Sequence, residues 1–153
     1  MTAKHILLIE DNPDDVELTL RAFRRGDIQN EIRVARDGRE ALDWLHGENP
    51  ASGLLPTVVL LDLHLPRIDG LEVLRRIRAD ARTSLLPVVI LTSSDEPSDL
   101  HDGYRFGANS FVRKPVAFAD LIDAARQIGR YWLGLNEVPS PLTFRRISAN
   151  GSL

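Results

Sequence analysis

The sequence contains no cysteine. Disulfides, thiol catalysis and cysteine-based zinc sites are therefore excluded. It has no basic segment followed by an apolar one near its start, and no apolar run long enough to span a bilayer. A cytoplasmic location with no membrane partner is the expectation. Net positive charge is also missing. The formal net charge is -3, whereas a nucleic-acid binder needs a basic face to meet phosphates, so no nucleic-acid partner is expected. The four histidines offer no metal site, because no side chain among them has ligand spacing to another. There is no internal repeat and no low-complexity tract. The 153 residues, 43% hydrophobic and 27% charged, suit one domain with a real core.

Against these absences stand four short runs that each deliver a polar group at the end. Ile6-Leu7-Leu8-Ile9 is followed by Glu10-Asp11, Val58-Val59-Leu60-Leu61 by Asp62, Val88-Val89-Ile90-Leu91 by Thr92, and Ser110-Phe111-Val112-Arg113 by Lys114. Three of the runs are near-continuously apolar, as strands buried on both faces of a parallel sheet are. Strand and helix patterns alternate five times, which predicts βα units and an α/β fold. Strands are expected at about 4–9, 31–35, 57–61, 87–91 and 109–112. Helix one opens at Asn12-Pro13, a cap followed by proline at the first helical position. Val16, Leu20 and Phe23 make its buried face. Helix two spans about 39–46, and a Gly/Pro-marked loop covers 47–56. Helix three follows Asp69, which can cap with Glu72 three residues on. Helix four covers about 96–106 and helix five about 118–133. Residues 1–133 form the expected domain. Residues 134–153 read as an irregular tail, too short for a DNA-binding output domain.

In open α/β sheets ligands bind outside the carboxyl ends of the strands. The four polar groups should therefore meet on one rim. Magnesium takes near-octahedral oxygen ligands and keeps several waters. Asp11 and Asp62 are expected to bind it directly, Glu10 through a water, and the backbone carbonyl of His64 to complete the protein's share. Three carboxylates so close repel one another, so a cation or Lys114 must hold them ionised. An ionised Asp beside Mg²⁺ can attack phosphorus. Lys114 and the metal would offset charge on the transferring oxygens, and Thr92 would hydrogen-bond one of them.

These residues carry a resemblance. Ile9-Glu10-Asp11-Asn12, the stretch from Leu61-Asp62 through Asp69-Gly70, Leu91-Thr92-Ser93-Ser94, Gly107-Ala108-Asn109-Ser110-Phe111 and Lys114-Pro115 resemble the response-regulator receiver domains of two-component signalling over about residues 4–132. The resemblance implies a CheY-like, flavodoxin-like doubly wound sheet of five parallel strands in the order 2-1-3-4-5. It implies that Asp62 accepts phosphate from a sensor histidine kinase, that the acidic pair binds Mg²⁺, and that Lys114 contacts the phosphoryl group. Thr92 and Phe111 would form the switch, and the bond before Pro115 would be cis. Phe111 stands where tyrosine is commoner, so the switch ring has no hydroxyl.

Within the family the chain resembles the single-domain regulators that partner bacterial phytochromes. The pointers are Glu10-Asp11-Asn12-Pro13-Asp14-Asp15, the 47–56 loop and Tyr131-Trp132-Leu133. Kinase docking is expected on the outer face of helix one, at Asp15, Leu18, Arg21 and Ala22, which are surface neighbours by helical spacing. A homodimer is expected through helix four, strand five and helix five. Phe118, Leu121, Ala125, Ile128 and Trp132 make one apolar face of helix five, and Ile122, Gly129 and Leu133 widen it beyond what one sheet face covers. Residues 139–144 are expected to dock, either on the same chain or on the partner subunit.

Three other readings compete. A phosphatase with an aspartyl nucleophile, resembling the haloacid dehalogenase class, needs an acidic residue where His64 stands. A flavin module on this topology needs a phosphate loop after strand one, where Asp11, Asp14 and Asp15 would repel phosphate. A degenerate receiver, serving as a constitutive interaction module, does not need the intact Asp11, Asp62, Thr92 and Lys114.

Overall fold

A computed structural model describes residues 3–47 and 55–139. The elements run β1 (Ile6–Ile9), α1 (Pro13–Arg25), β2 (Ile32–Ala35), α2 (Gly38–His46), β3 (Val58–Leu61), α3 (Gly70–Ala79), β4 (Val88–Thr92), α4 (Pro97–Arg105), β5 (Ser110–Arg113) and α5 (Phe118–Arg130). All strand pairs are parallel, in the order β2-β1-β3-β4-β5, as expected. Every residue of β1, β3 and β4 is buried, which explains their unbroken apolar character. β5 lies at the sheet edge and is only half-buried, so its pattern is weaker.

Alternate strand residues feed two cores. Leu7, Ile9, Val59, Leu61, Val88 and Ile90 meet Ala41, Leu42 and Leu45 of α2, Val73, Leu74 and Ile77 of α3, and Phe106 after α4. On the other face Ile6, Leu8, Val58, Leu60 and Val89 meet Ala22 and Phe23 of α1 and Leu121, Ala125 and Ile128 of α5. The helices start where capping chemistry says they should. Asn12 accepts from the backbone of Asp14 and Asp15, Asp37 from Glu40, and Asp69 from Glu72.

Two expectations about helix packing are corrected. Ala22 is fully buried, not on the outer face of α1, and Leu20 is only half-buried. The cause is α5, which lies against α1 on the same sheet face and rotates the buried arc toward Val16, Thr19, Ala22 and Phe23. The wide apolar stripe of α5 is likewise used inside the chain. Gly129 abuts the Ile28 side chain, and Leu133 is 8% exposed. That stripe therefore gives no argument for a second subunit.

The bond between Lys114 and Pro115 is trans, since no cis peptide occurs among the described residues. The expected cis form is corrected; trans is the ordinary preference of X-Pro bonds by about 0.5–1 kcal/mol. Helix five also ends differently from expectation. After Arg130 the chain makes one wide turn over Tyr131–Leu135, with the Asn136 N–H donating to the Tyr131 carbonyl at 2.7 Å. Lys4 reaches across from the start of the chain and donates to the Leu133 carbonyl at 2.9 Å. Trp132 is half-buried, edge-on to Tyr131 at 4.9 Å. Most of the expected docking segment at 139–144 lies outside the described residues, as does most of the 47–56 loop.

Arg78, a residue the sequence patterns do not single out, ties three segments together. Its guanidinium donates to the carbonyls of Gly107, Ser84 and Leu86 and to Asn109 Oδ1. Gly70 does the same for the strand-three rim by being small. A Cβ there would press on the Asp62 carbonyl oxygen and lie 2.6 Å from the Leu63 Cα. Alanine normally gains about 1 kcal/mol over glycine inside a helix, but backbone atoms cannot move aside as a side-chain end can. Gly70→Ala is expected to destabilise the protein by about 1–3 kcal/mol, read from the midpoint of urea unfolding; a stabilised variant would refute the close packing of α3 on the Asp62 loop.

Candidate functional site

Strand register places the site. Ile9 pairs with Leu61, and Leu61 with Ile90, so β1 and β3 end together and β4 runs two residues further, to Thr92. The backbone continues the ladder into the rim: Asp62 N–H donates to the Ile9 carbonyl at 3.0 Å, and Lys114 N–H to the Thr92 carbonyl at 2.8 Å. Glu10 N–H is tied to the Ala35 carbonyl of β2 at 3.0 Å. Four segments far apart in sequence thus converge.

Glu10, Asp11 and Asp62 bring one carboxylate oxygen each within 4.8 Å of one another. Glu10 is 1% and Asp62 6% exposed, while Asp11 faces solvent. Lys114 Nζ donates to Glu10 Oε1 and lies 3.6 Å from Asp15 Oδ2 and 3.8 Å from Asp62 Oδ2. The other Glu10 oxygen accepts from the Asn12 N–H at 3.3 Å. Asp62 Oδ1 is buried without a hydrogen-bond partner. A buried carboxylate oxygen left bare costs free energy, and a hard divalent cation among oxygen donors is the species that removes that cost. The donor set therefore fits such a cation. The His64 side chain is exposed, and the loop's own backbone hydrogen bonds run to the carbonyls of Leu63 and Pro66, not to that of His64.

Thr92 is fully buried as the last residue of β4, and its hydroxyl accepts from the Ser94 N–H at 3.3 Å. Ser94 in turn donates to Asp99 Oδ2 at 2.6 Å and accepts from the Glu96 N–H, which anchors the first turn of α4. Phe111 is half-buried in β5, with its ring against Gly103 of α4. The structure thus brings Glu10, Asp11, Asp62 and Lys114 together and sets Thr92 on the adjoining strand. Phe111 sits apart, across β4. Leu18 is 40% exposed, with Arg21 exposed beside it. Asp15 turns toward the rim and Lys114. Helical spacing alone puts Asp15 on the docking face and gives no sign of this contact. The cap at Asn12, which pins the first turn of α1 over the acidic pair, was the available signal.

Burial pushes the Glu10 carboxyl up to about 7; Asp62 adds to the rise and Lys114 opposes it. Burial works against the Lys114 ammonium, yet the hydrogen bond to Glu10 and the charges of Asp62, Glu10 and Asp15 outweigh it and raise its pKa. Both shifts mean that, without a cation, the site retains a proton.

The model of the response regulator receiver domain matches residues 6–126. The chain belongs to the receiver-domain family of response regulators. It is 43% identical over 136 residues to the probable methanogenesis regulatory protein FilR2 of Methanothrix harundinacea, a match spanning 89% of this chain and 88% of that one. The bacteriophytochrome response regulator AtBRR is 46% identical in its solved structure, with a TM-score of 0.71 over 90% of this chain and 97% of that one. The phosphorylated cyanobacterial phytochrome response regulator RcpA superposes with a TM-score of 0.83 at 34% identity, over 91% of this chain and all of that one.

The Glu10 shift has a direct consequence for metal binding. The folded carboxyl keeps its proton up to about pH 7, while an unfolded one loses it near 4.5. Between those values the unfolded chain binds fewer protons, so metal-free stability falls as pH rises through the window. A cation needs the carboxylate, so binding displaces the proton and tightens with pH. Mg²⁺ affinity, measured by calorimetry, is expected to rise by up to about tenfold per pH unit below about 7 and to level off above it. A pH-independent affinity across that range would refute the assignment.

Proposed function

We propose that this protein is a response regulator whose Asp62 accepts a phosphoryl group from a sensor histidine kinase, in a phosphorelay headed by a bacteriophytochrome. One observation carries the proposal: Asp62 is buried at the rim with Oδ1 unpartnered and Lys114 3.8 Å from Oδ2. The kinship with AtBRR and RcpA supports the phytochrome link. An Asp62 oxygen attacks phosphorus, the phosphorus–nitrogen bond to the kinase imidazole breaks, and its electron pair leaves on the nitrogen. Lys114 donates to a phosphoryl oxygen, and the Thr92 hydroxyl turns from Ser94 to donate to another. Glu10, Asp11, Asp62 and the His64 carbonyl would hold Mg²⁺, which supplies positive charge to the transferring oxygens. The protein is a phosphoacceptor that assists its own phosphorylation and dephosphorylation, not an enzyme acting on other substrates. Among the described residues no helix is long and apolar enough to cross a membrane; the proposed place of action is the cytoplasm.

Docking of the kinase falls on the exposed part of α1 around Leu18 and Arg21, beside the rim that a donor histidine must reach. The test combines two variants. Asp62→Asn, nearly isosteric, should fold and take up no phosphoryl mass from acetyl phosphate with Mg²⁺. Leu18→Ala should label normally with acetyl phosphate and more slowly, by severalfold, from the cognate kinase. Full labelling of Asp62→Asn would sink the acceptor assignment, and equal slowing from both donors would remove the docking face.

Phosphorylation adds negative charge and acceptor oxygens. When the Thr92 hydroxyl leaves Ser94, α4 loses part of its anchor and Phe111 gains room to turn inward. The exposed face beyond it holds Leu100 and Tyr104 on α4 and Val116 after β5. Solvent-facing apolar groups of this size, gathered on adjoining elements, suit a two-fold interface with a second copy. Light scattering should show a dimer that Tyr104→Glu weakens at least about tenfold, consistent with loss of an aromatic interface anchor. Thr92→Ala should accept phosphate yet shift less toward the dimer. A monomer at high micromolar concentration in wild type, phosphorylated or not, would rule the interface out.

A further inference from the structure

Lys114 is surrounded by three carboxylates, and they are not equivalent. Glu10 and Asp62 also belong to the set that can hold a divalent cation, together with Asp11. Asp15 does not. Its oxygen lies 3.6 Å from the Lys114 Nζ, and the Lys114 side chain is 12% exposed. Asp15 is held through its backbone, with its side chain 42% exposed. Its N–H donates to the Asn12 side chain at 3.1 Å, in a first turn closed by Pro13. A cation that draws on Glu10 and Asp62 weakens two of the three attractions on the ammonium, both through competition for the oxygens and through like-charge repulsion. The Asp15 carboxylate is then the partner left to the lysine.

We propose that Asp15 is the positioning residue for Lys114, holding its ammonium beside Asp62 when the neighbouring carboxylates serve a cation. The placement of Lys114 stands independently of the proposed phosphoryl transfer; its consequence for transfer rests on that reading. Asp15 touches no transferring atom. It keeps the lysine's N–H groups within reach of the oxygens that arrive on Asp62, and without it the lysine swings into solvent.

The chain has two lysines, Lys4 and Lys114, which makes the test direct. Lys4 stands before β1, at the opposite end of that strand from the rim, and donates to the Leu133 carbonyl, so it serves as an internal reference. The full-length protein, loaded with Mg²⁺, is treated with a trace of acetic anhydride, and the ratio of Lys114 to Lys4 acetylation is read by peptide mass spectrometry. Asp15→Asn should raise that ratio by about threefold or more, the scale of a partly exposed ion pair. Asp14→Asn, which removes the adjacent charge without touching Lys114, should leave it unchanged, and Asp15→Glu should restore most of the protection. In parallel, phosphoryl uptake from acetyl phosphate should slow severalfold in Asp15→Asn. In a Lys114→Ala background the same change should add nothing, as a double-mutant cycle requires for an effect exerted through the lysine. A lysine ratio equal to that of Asp14→Asn, or an uptake rate unchanged from wild type, overturns the proposal. If wild type takes up no phosphoryl group at all, Asp62 is not the acceptor, and the lysine ratio alone then decides the placement.

Discussion

The ammonium of Lys114 is what allows the rest of the site to exist. Two near-buried carboxylates, Glu10 and Asp62, stand together with Asp11 at the ends of two adjacent strands. Two like charges about 4 Å apart repel by about 4 kcal/mol at the effective dielectric near a protein surface. A sheet rim cannot hold three such groups without a counter-charge, and Lys114 supplies one from β5, across β4 from Asp62. The arrangement is also unfinished. Asp62 Oδ1 has no partner, and Glu10 holds a proton to about pH 7. A site with this surplus of acidic groups fits a hard divalent cation.

The path from this rim to the surface is short and made of named contacts. Thr92 holds Ser94, Ser94 holds Asp99, and Asp99 lies in the first turn of α4. α4 is otherwise lightly attached. Its N-cap Glu96 makes no side-chain cap, and Gly103 is its one buried residue. An element with so few buried contacts is the kind that shifts when one anchor is withdrawn. By contrast α1 and α5 are closed against each other through Ala22, Gly129 and Ile28. That contrast makes α4 the lightly held element and α1 and α5 the firmly held ones, with the exposed Leu18 on the latter.

Much of this is legible in the sequence. A parallel strand buried on both faces must be apolar throughout, so β1, β3 and β4 announce themselves as runs, and the polar residue after each run must fall at the rim. Caps at Asn12, Asp37 and Asp69 follow from side chains that can reach the first free N–H groups. Local chemistry of this kind determined the element order, the sheet type and the residues Glu10, Asp11, Asp62, Thr92 and Lys114.

What depended on packing between distant elements was not legible. Helical spacing puts Ala22 beside Leu18 on an outer face, yet only the approach of α5 decides which side of α1 is outside. The same contact consumes the broad apolar stripe of α5, which from the sequence looks like a surplus. The isomer at Pro115, the wide turn after Arg130 and the four-way grip of Arg78 each answer to neighbours far away in the chain. So does the turn of Asp15 toward Lys114, a residue 99 positions later by numbering. The sequence alone therefore determined which groups reach the rim, because strand period and capping are local. The tertiary structure decided which of them touch, and which faces stay open, because those depend on how two sheet faces share five helices.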